Sequence, residues 1–329
     1  MLICKSTPVL LLMIGCLLGI TVPSHAQHLS GQQEKAFQQR EDSLKGFAFD
    51  IVNAETATKR FIADSNFIRS LVRTLRQPNS FYYPFDSLET ISRLYAPDST
   101  FRIFTWQFKK DDFMYLQEGA IQMNEPDGSL KLYPLFDVSM FTEKPLDSVR
   151  NRLNWIGAIY YKMILKTWQG RKYYTLLGFD DFSETANKKW MEVLTFNSEG
   201  QPQFGGPYFS FAQDSVHKPT QYRFDIEYKK EAATRFNYDP DMDLVVYDHL
   251  VPEGDHPEKK DTYVPDGDFE AFQWKQGRWV HMERGLTTLK LKDGDAPLEA
   301  RMLDDQGNIN ERQLQDASEK NMKKKPKNN

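Results

Sequence analysis

The sequence predicts an α+β protein, mainly antiparallel β built from hairpins and meanders, with a helical segment at its N-terminal end. Three observations lead there. Aromatic and β-branched runs recur from Phe101 onward and break at Gly-containing turns, most plainly over residues 160–209. The run YRFDIEY at 222–228 alternates apolar and polar residues with period two. Residues 56–77 instead repeat their apolar side chains with helical spacing and stop at Pro78.

The chain opens with an address. Lys5 precedes a largely apolar run at 8–22, and Ser24-His25-Ala26 follows. A positive start, a short apolar core and small residues at −3 and −1 predict a signal peptide over 1–26, cut between Ala26 and Gln27. The apolar run is shorter than the ~20 residues a membrane span needs. The expected destination is the periplasm or the medium. Lipid attachment at Cys16, which follows Gly15, is the alternative anchor, although Met13 fits its −3 position poorly. Both cysteines, Cys4 and Cys16, fall in this segment. The mature chain then has no disulfide, no Cys metal ligand and no thiol nucleophile.

Residues 27–99 read as the helical segment. The stretch 27–45 is polar with Phe37 and Leu44 as spaced apolar points. In 56–77, Phe61, Ile68, Leu71, Val72 and Leu75 form the expected core face. Lys59, Arg60, Arg69, Arg73 and Arg76 make the rest basic, a solvated face or a grip for an anionic partner. A short helix is expected over 86–95.

Residues 100–312 read as the β body, with an internal boundary near 214–219 or near 142–154. Strands are expected at 101–108, 113–123 and 130–136, the last after the turn Glu125-Pro126-Asp127-Gly128. Helical spacing of Leu146, Val149 and Leu153 predicts a helix over 145–155. Two runs around Trp168-Gln169-Gly170-Arg171 predict a hairpin. That hairpin and the following run at 190–196 are apolar on both faces, which predicts a sheet covered on two sides. In 222–228, Phe224, Ile226 and Tyr228 should face a core while Arg223, Asp225 and Glu227 face water. A strand at 244–247 and a hairpin around Gly277 complete the body. KTWQGRKYY and QWKQGRWV share Gln-Gly-Arg between large aromatics, a candidate for blade-like repeats. Residues 313–329 read as a disordered basic tail.

Composition excludes some functions. With a net charge of −4 and 40% hydrophobic residues, the chain has no electrostatic footprint for nucleic acid. After Val22 no long apolar run remains, so the mature chain is not expected to span a membrane by a helix. Searches for G-x-S-x-G, H-E-x-x-H, G-x-G-x-x-G and the P-loop all fail. No cofactor is predicted, with one candidate ion: Asp239, Asp241 and Asp243 alternate in one loop, as oxygen ligands for Ca²⁺ do, but without the Gly and Glu of an EF-hand. His249 and His256 lie near Asp248 and Asp255 in a Pro-containing loop of no known ligand spacing, and His217 and His281 stand alone in sequence. Trp106, Trp168, Trp190, Trp274 and Trp279 serve either as sugar-stacking platforms or as sheet packing. The expectation is an exported, non-enzymatic binding protein for a glycan, a peptide or another envelope component. Its rival is a carboxylate-dependent hydrolase of envelope or extracellular polymers, whose paired acids would meet only in space.

Overall fold

The computed structural model describes residues 29–111 and 114–283. The segment holding Cys4, Cys16, Ala26 and Gln27 and the tail at 313–329 lie outside the described residues. Helix α1 (Gly31–Asn53) starts at a capping box in which Ser30 and Gln33 satisfy each other's backbone N–H groups. Helix α2 (Ala57–Leu75) is capped by Thr56. The two form a hairpin, burying Phe37, Leu44, Ala48 and Ile51 of one and Ala63, Phe67, Leu71 and Leu75 of the other.

Three sheets follow. The first is a meander of β1 (Ser92–Tyr95), β2 (Phe101–Asp111), β3 (Met114–Asn124) and β4 (Leu130–Phe136). The second contains β5 (Arg150–Asn151), β6 (Ile159–Trp168), β7 (Arg171–Asp180), β8 (Ala186–Phe196), β9 (Pro202–Phe204) and β11 (Arg223–Lys229). The third has β10 (Phe209–Ser210), β12 (Phe236–Asp239), β13 (Leu244–Pro252), β14 (Tyr263–Lys275) and β15 (Arg278–Met282). All pairings are antiparallel except β10 with β15.

Side-chain alternation stacks these pieces in layers. In β2, Phe101 and Ile103 face the second sheet, while Phe104, Trp106 and Phe108 lie under the helices. In β7, Tyr174 and Leu176 face the first sheet, while Tyr173 and Leu177 face the third. The second sheet is therefore covered on both sides, as its two apolar faces require. Each fully buried aromatic or aliphatic side chain adds about 1.5–3 kcal/mol of burial.

Four local expectations need correction. Residues 145–155 are turns around the two-residue β5, not a helix, because Arg150 and Asn151 pair with Phe204 and Gln203. Residues 92–95 form β1 rather than a helix end, since β2 offers that run a register from Ser92↔Thr105 to Tyr95↔Arg102. On α2, Phe61 is exposed and Ala63, Asp64, Phe67 and Thr74 are buried instead, so the buried stripe lies to one side of the expected face. Arg223 does not face water: it is sealed among Glu192 and the carbonyls of Pro145, Ser148 and Phe204.

The two Gln-Gly-Arg hairpins fold alike. Gln169 and Gly170, and Gln276 and Gly277, all have positive φ, the conformation a two-residue type I′ turn needs. They lie in the second and third sheets, and Trp168 of one rests on Gly277 of the other. The three sheets differ in strand number and order, so no common sheet plan accompanies the shared turn.

Candidate functional site

A cavity of about 310 Å³ opens between α2 and the outer strands of the first sheet. Its origin is steric. The helices pack over β2, but the face of β3 and β4 beside them carries the small Ala120 opposite Pro134. Ile68, Val72 and Leu75 of α2 form one wall, and Leu132, Pro134 and Phe136 the other. Pro134 and Phe136 are exposed at its edge. The lining is almost wholly carbon, with a single ionisable exception, Glu118.

Glu118 sits on β3 in the phase of Leu116 and Ala120, the helix-facing phase. No hydrogen bond from the described residues reaches its carboxyl. Burial, followed by repulsion from Asp64 and Asp137, pushes its pKa from 4.5 up to about 7. Asp64, buried on α2, accepts the Trp106 indole N–H at 2.7 Å, and burial raises it too, against that hydrogen bond. The site is thus an apolar slot with one half-ionised, unpartnered carboxyl in its wall. A hydrogen-bond donor or a cation on an otherwise apolar body matches it. Sequence reasoning missed both acids. The available signal was phase: Asp64 and Glu118 fall at core positions of their own elements.

A second concave feature lies at the other end of the molecule. A cleft of about 330 Å³ runs between β11 and the third sheet, lined by Asp225, Glu227, Asp248, Glu270, His249 and Tyr263 among others. A buried chain backs it. Asp214 accepts from His281 Nδ1 at 2.9 Å, His281 Nε2 meets the Tyr247 hydroxyl at 2.6 Å, and that hydroxyl meets Glu270 at 2.8 Å. Burial works against the His281 charge, but Glu270 and Asp214 outweigh it and raise its pKa. Burial works in the opposite sense on Glu270, whose pKa is nevertheless lowered by His281 and Tyr247. His281, one of the two histidines that stand alone in the sequence, therefore has three partners in space.

The predicted ligand residues do different work. Asp239 accepts the N–H groups of Asp241 and Met242, closing the β12–β13 turn. Asp243 is bound by Lys166 and by the Tyr238 hydroxyl. Among the described residues no group of three or more His, Cys, Asp or Glu side chains converges as a metal site. His249 pairs with Asp266 at 2.8 Å and His256 with Glu258 at 3.1 Å. Trp106, Trp190 and Trp279 are buried packing residues, and Trp274 packs on Tyr173 and Trp279. Only Trp168 of the five is exposed, and Gly277 lies beneath its ring.

The chain matches no described protein family, no curated protein and no solved structure.

Proposed function

We propose that this is an exported, non-enzymatic binding protein whose ligand is an amphiphilic envelope component. The apolar chain of the ligand lies in the cavity beneath α2, and its head group, an amine or another hydrogen-bond donor, meets Glu118. One observation carries the reading: a carboxyl without a partner stands in a cavity otherwise lined by carbon. Such a group is costly to bury, and a donor-bearing ligand removes the cost.

The test is calorimetric titration of the mature chain with dodecylamine, dodecanol and dodecanoate below their aggregation concentrations. The amine should bind most tightly and the carboxylate least. Ala120→Phe, which fills the cavity, should abolish binding, and Glu118→Gln should remove the advantage of the amine over the alcohol. Carboxylate binding as tight as amine binding, or no binding of any of the three, overturns the reading.

A second reading, carboxylate-dependent hydrolysis, is favoured by the Asp214–His281–Tyr247–Glu270 chain, which holds Glu270 ionised at a cleft. Burial raises Asp225, which lines the same cleft, and acid–base pairs are built from carboxyls with such opposed shifts. Turnover of a chromogenic glycoside or ester that disappears in Glu270→Gln would replace the binding-only function with this one.

A further inference from the structure

Two side-chain stripes of α2 lie outside the core. Ile62, Arg69, Arg73 and Arg76, spaced by seven, four and three residues, share one helical phase, and all four are exposed. Phe61, Ile68 and Val72, spaced by seven and four, share the neighbouring phase. Ile68 and Val72 of this second stripe line the cavity that holds Glu118.

The first stripe is basic and unpaired. Among the described residues no ion pair holds Arg69, Arg73 or Arg76. Asp64 is the one acid of α2, and it is buried against Trp106. The exposed side of α1 carries acids as well as bases, so the cationic excess belongs to α2. In a chain of net charge −4, a row of three free arginines makes a local surface suited to anions.

The same face ends in exposed carbon. Phe49 and Val52 of α1 and Phe61 and Ile62 of α2 are each more than half exposed, and all lie within about two helical turns of the loop that joins the helices. Arg60 fixes this tip to the end of β2, donating to the Lys109 and Ala54 carbonyls at 2.8 Å each. β4 does not reach the tip. Its pairing with β3 ends at Glu118↔Phe136, so β3 runs on toward Met114 without it. Phe61 is therefore left uncovered on the stripe that enters the cavity. Large apolar side chains gathered at one tip, unlike ones scattered singly, mark a contact surface.

A phospholipid surface matches both features. Its phosphodiesters take the forked donors of arginine, and its interface takes the apolar side chains. A soluble anion would use the arginines and leave the phenylalanines in water. A second copy docked two-fold by this face would bring one arginine row against another.

We propose that the outer face of α2, from Phe61 and Ile62 at the hairpin tip to Arg76, docks on an anionic phospholipid bilayer. Loading of the cavity from that bilayer, along the stripe of Phe61, rests on the amphiphile-binding reading above; the docking stands without it.

The test is flotation of the mature chain with vesicles of phosphatidylcholine alone and of phosphatidylcholine mixed with phosphatidylglycerol. Partition to the anionic vesicles should be about tenfold stronger or more, and should fall as salt is added. Phe61→Ser with Ile62→Ser should weaken partition to the anionic vesicles about tenfold. Arg69→Gln, Arg73→Gln and Arg76→Gln together should remove the preference for phosphatidylglycerol. All five positions are exposed, so thermal midpoints should stay near that of the parent. Ala120→Phe, which fills the cavity, should float as the parent does. Failure of the parent to bind dodecylamine therefore strikes the cavity reading alone, and failure to float strikes the docking alone. No flotation with anionic vesicles overturns the proposal, and so does flotation that neither set of substitutions changes. Self-association of the parent in sedimentation velocity, abolished by the Phe61 and Ile62 substitutions, overturns it as well, because a second copy then covers the face.

Discussion

Arg223 Nε and Glu192 Oε2 meet at 2.7 Å with no more than 2% of either side chain exposed. Glu192 also accepts from the Tyr160 hydroxyl, which in turn accepts the Trp155 indole N–H at 2.7 Å. Three of the four remaining guanidinium N–H donors go to the carbonyls of Pro145, Ser148 and Phe204. This one side chain thus ties β11 and β8 to the irregular segment after the first sheet. Removing one partner leaves a buried charge unmatched. Arg223→Met should lower stability by about 3–5 kcal/mol. The double variant with Glu192→Met should regain a substantial part. Denaturant unfolding of the four proteins of that cycle checks it, and additive losses would mean that the pair does not act as a unit.

The twin turns offer an internal control. Gly170 and Gly277 have nearly the same φ, +75° and +79°. Around Gly170 an added Cβ meets nothing, whereas at Gly277 it would come 2.6 Å from the Trp168 ring. Gly170→Ala should cost only the left-handed backbone, about 1 kcal/mol. Gly277→Ala should cost more, and Trp168→Ala should cancel the excess but not the backbone part. Equal losses at the two glycines would show that the contact between the hairpins carries no weight.

Much of the fold was legible because its signals are local. Gly170 and Gly277 mark their turns, the apolar run of β7 has no polar face and is covered on both sides, and Pro78 closes off the α2 region. What was not legible depends on partners distant in sequence. Arg223 sits in the cleanest alternating run of the chain, and alternation alone puts it in water; only Glu192, 31 residues earlier, reverses that. Leu146, Val149 and Leu153 have helical spacing, but β9 claims the backbone between them. The candidate site was hidden differently. Asp64 and Glu118 are ordinary acids in a list of 46, and only their phase within α2 and β3 distinguishes them. The Asp214–His281 pair joins a loop to β15 across 67 residues and leaves no spacing to find.

The buried relay predicts a measurable titration. His281 has its pKa raised, with Glu270 and Asp214 prevailing over burial. A histidine raised on folding stabilises the folded state fully below its unfolded value, about 6.5, and loses that contribution as pH rises through the folded value. NMR titration should place His281 above 6.5. His281→Phe should flatten the stability profile on the alkaline side of that value and leave Asp214 unpaired in the interior, a loss of about 3–5 kcal/mol. A His281 that titrates below 6.5 would mean that burial prevails and that Glu270 is not held by a charged imidazole.

Glu118 predicts stability that depends on pH over a lower range. Its folded pKa, about 7, lies above its ordinary 4.5, so the folded state holds its proton more tightly than the unfolded chain. The associated stability is present in full below about pH 4.5 and is lost as pH rises to about 7. The full shift corresponds to about 3 kcal/mol, and partial exposure to the cavity reduces it to roughly 1–2 kcal/mol. Glu118→Gln cannot ionise, so it should be more stable than the parent at pH 8 and close to it at pH 4. Chemical denaturation at the two pH values reads the difference directly. An amine seated on Glu118 should reverse the sign, because the ionised carboxylate then has its partner. Dodecylamine should therefore raise the melting temperature of the parent more at pH 8 than at pH 5, with no such difference in Glu118→Gln. A variant that keeps the parent's pH profile would show that the carboxyl is already solvated, and the cavity would lose the group that gives it a chemical preference.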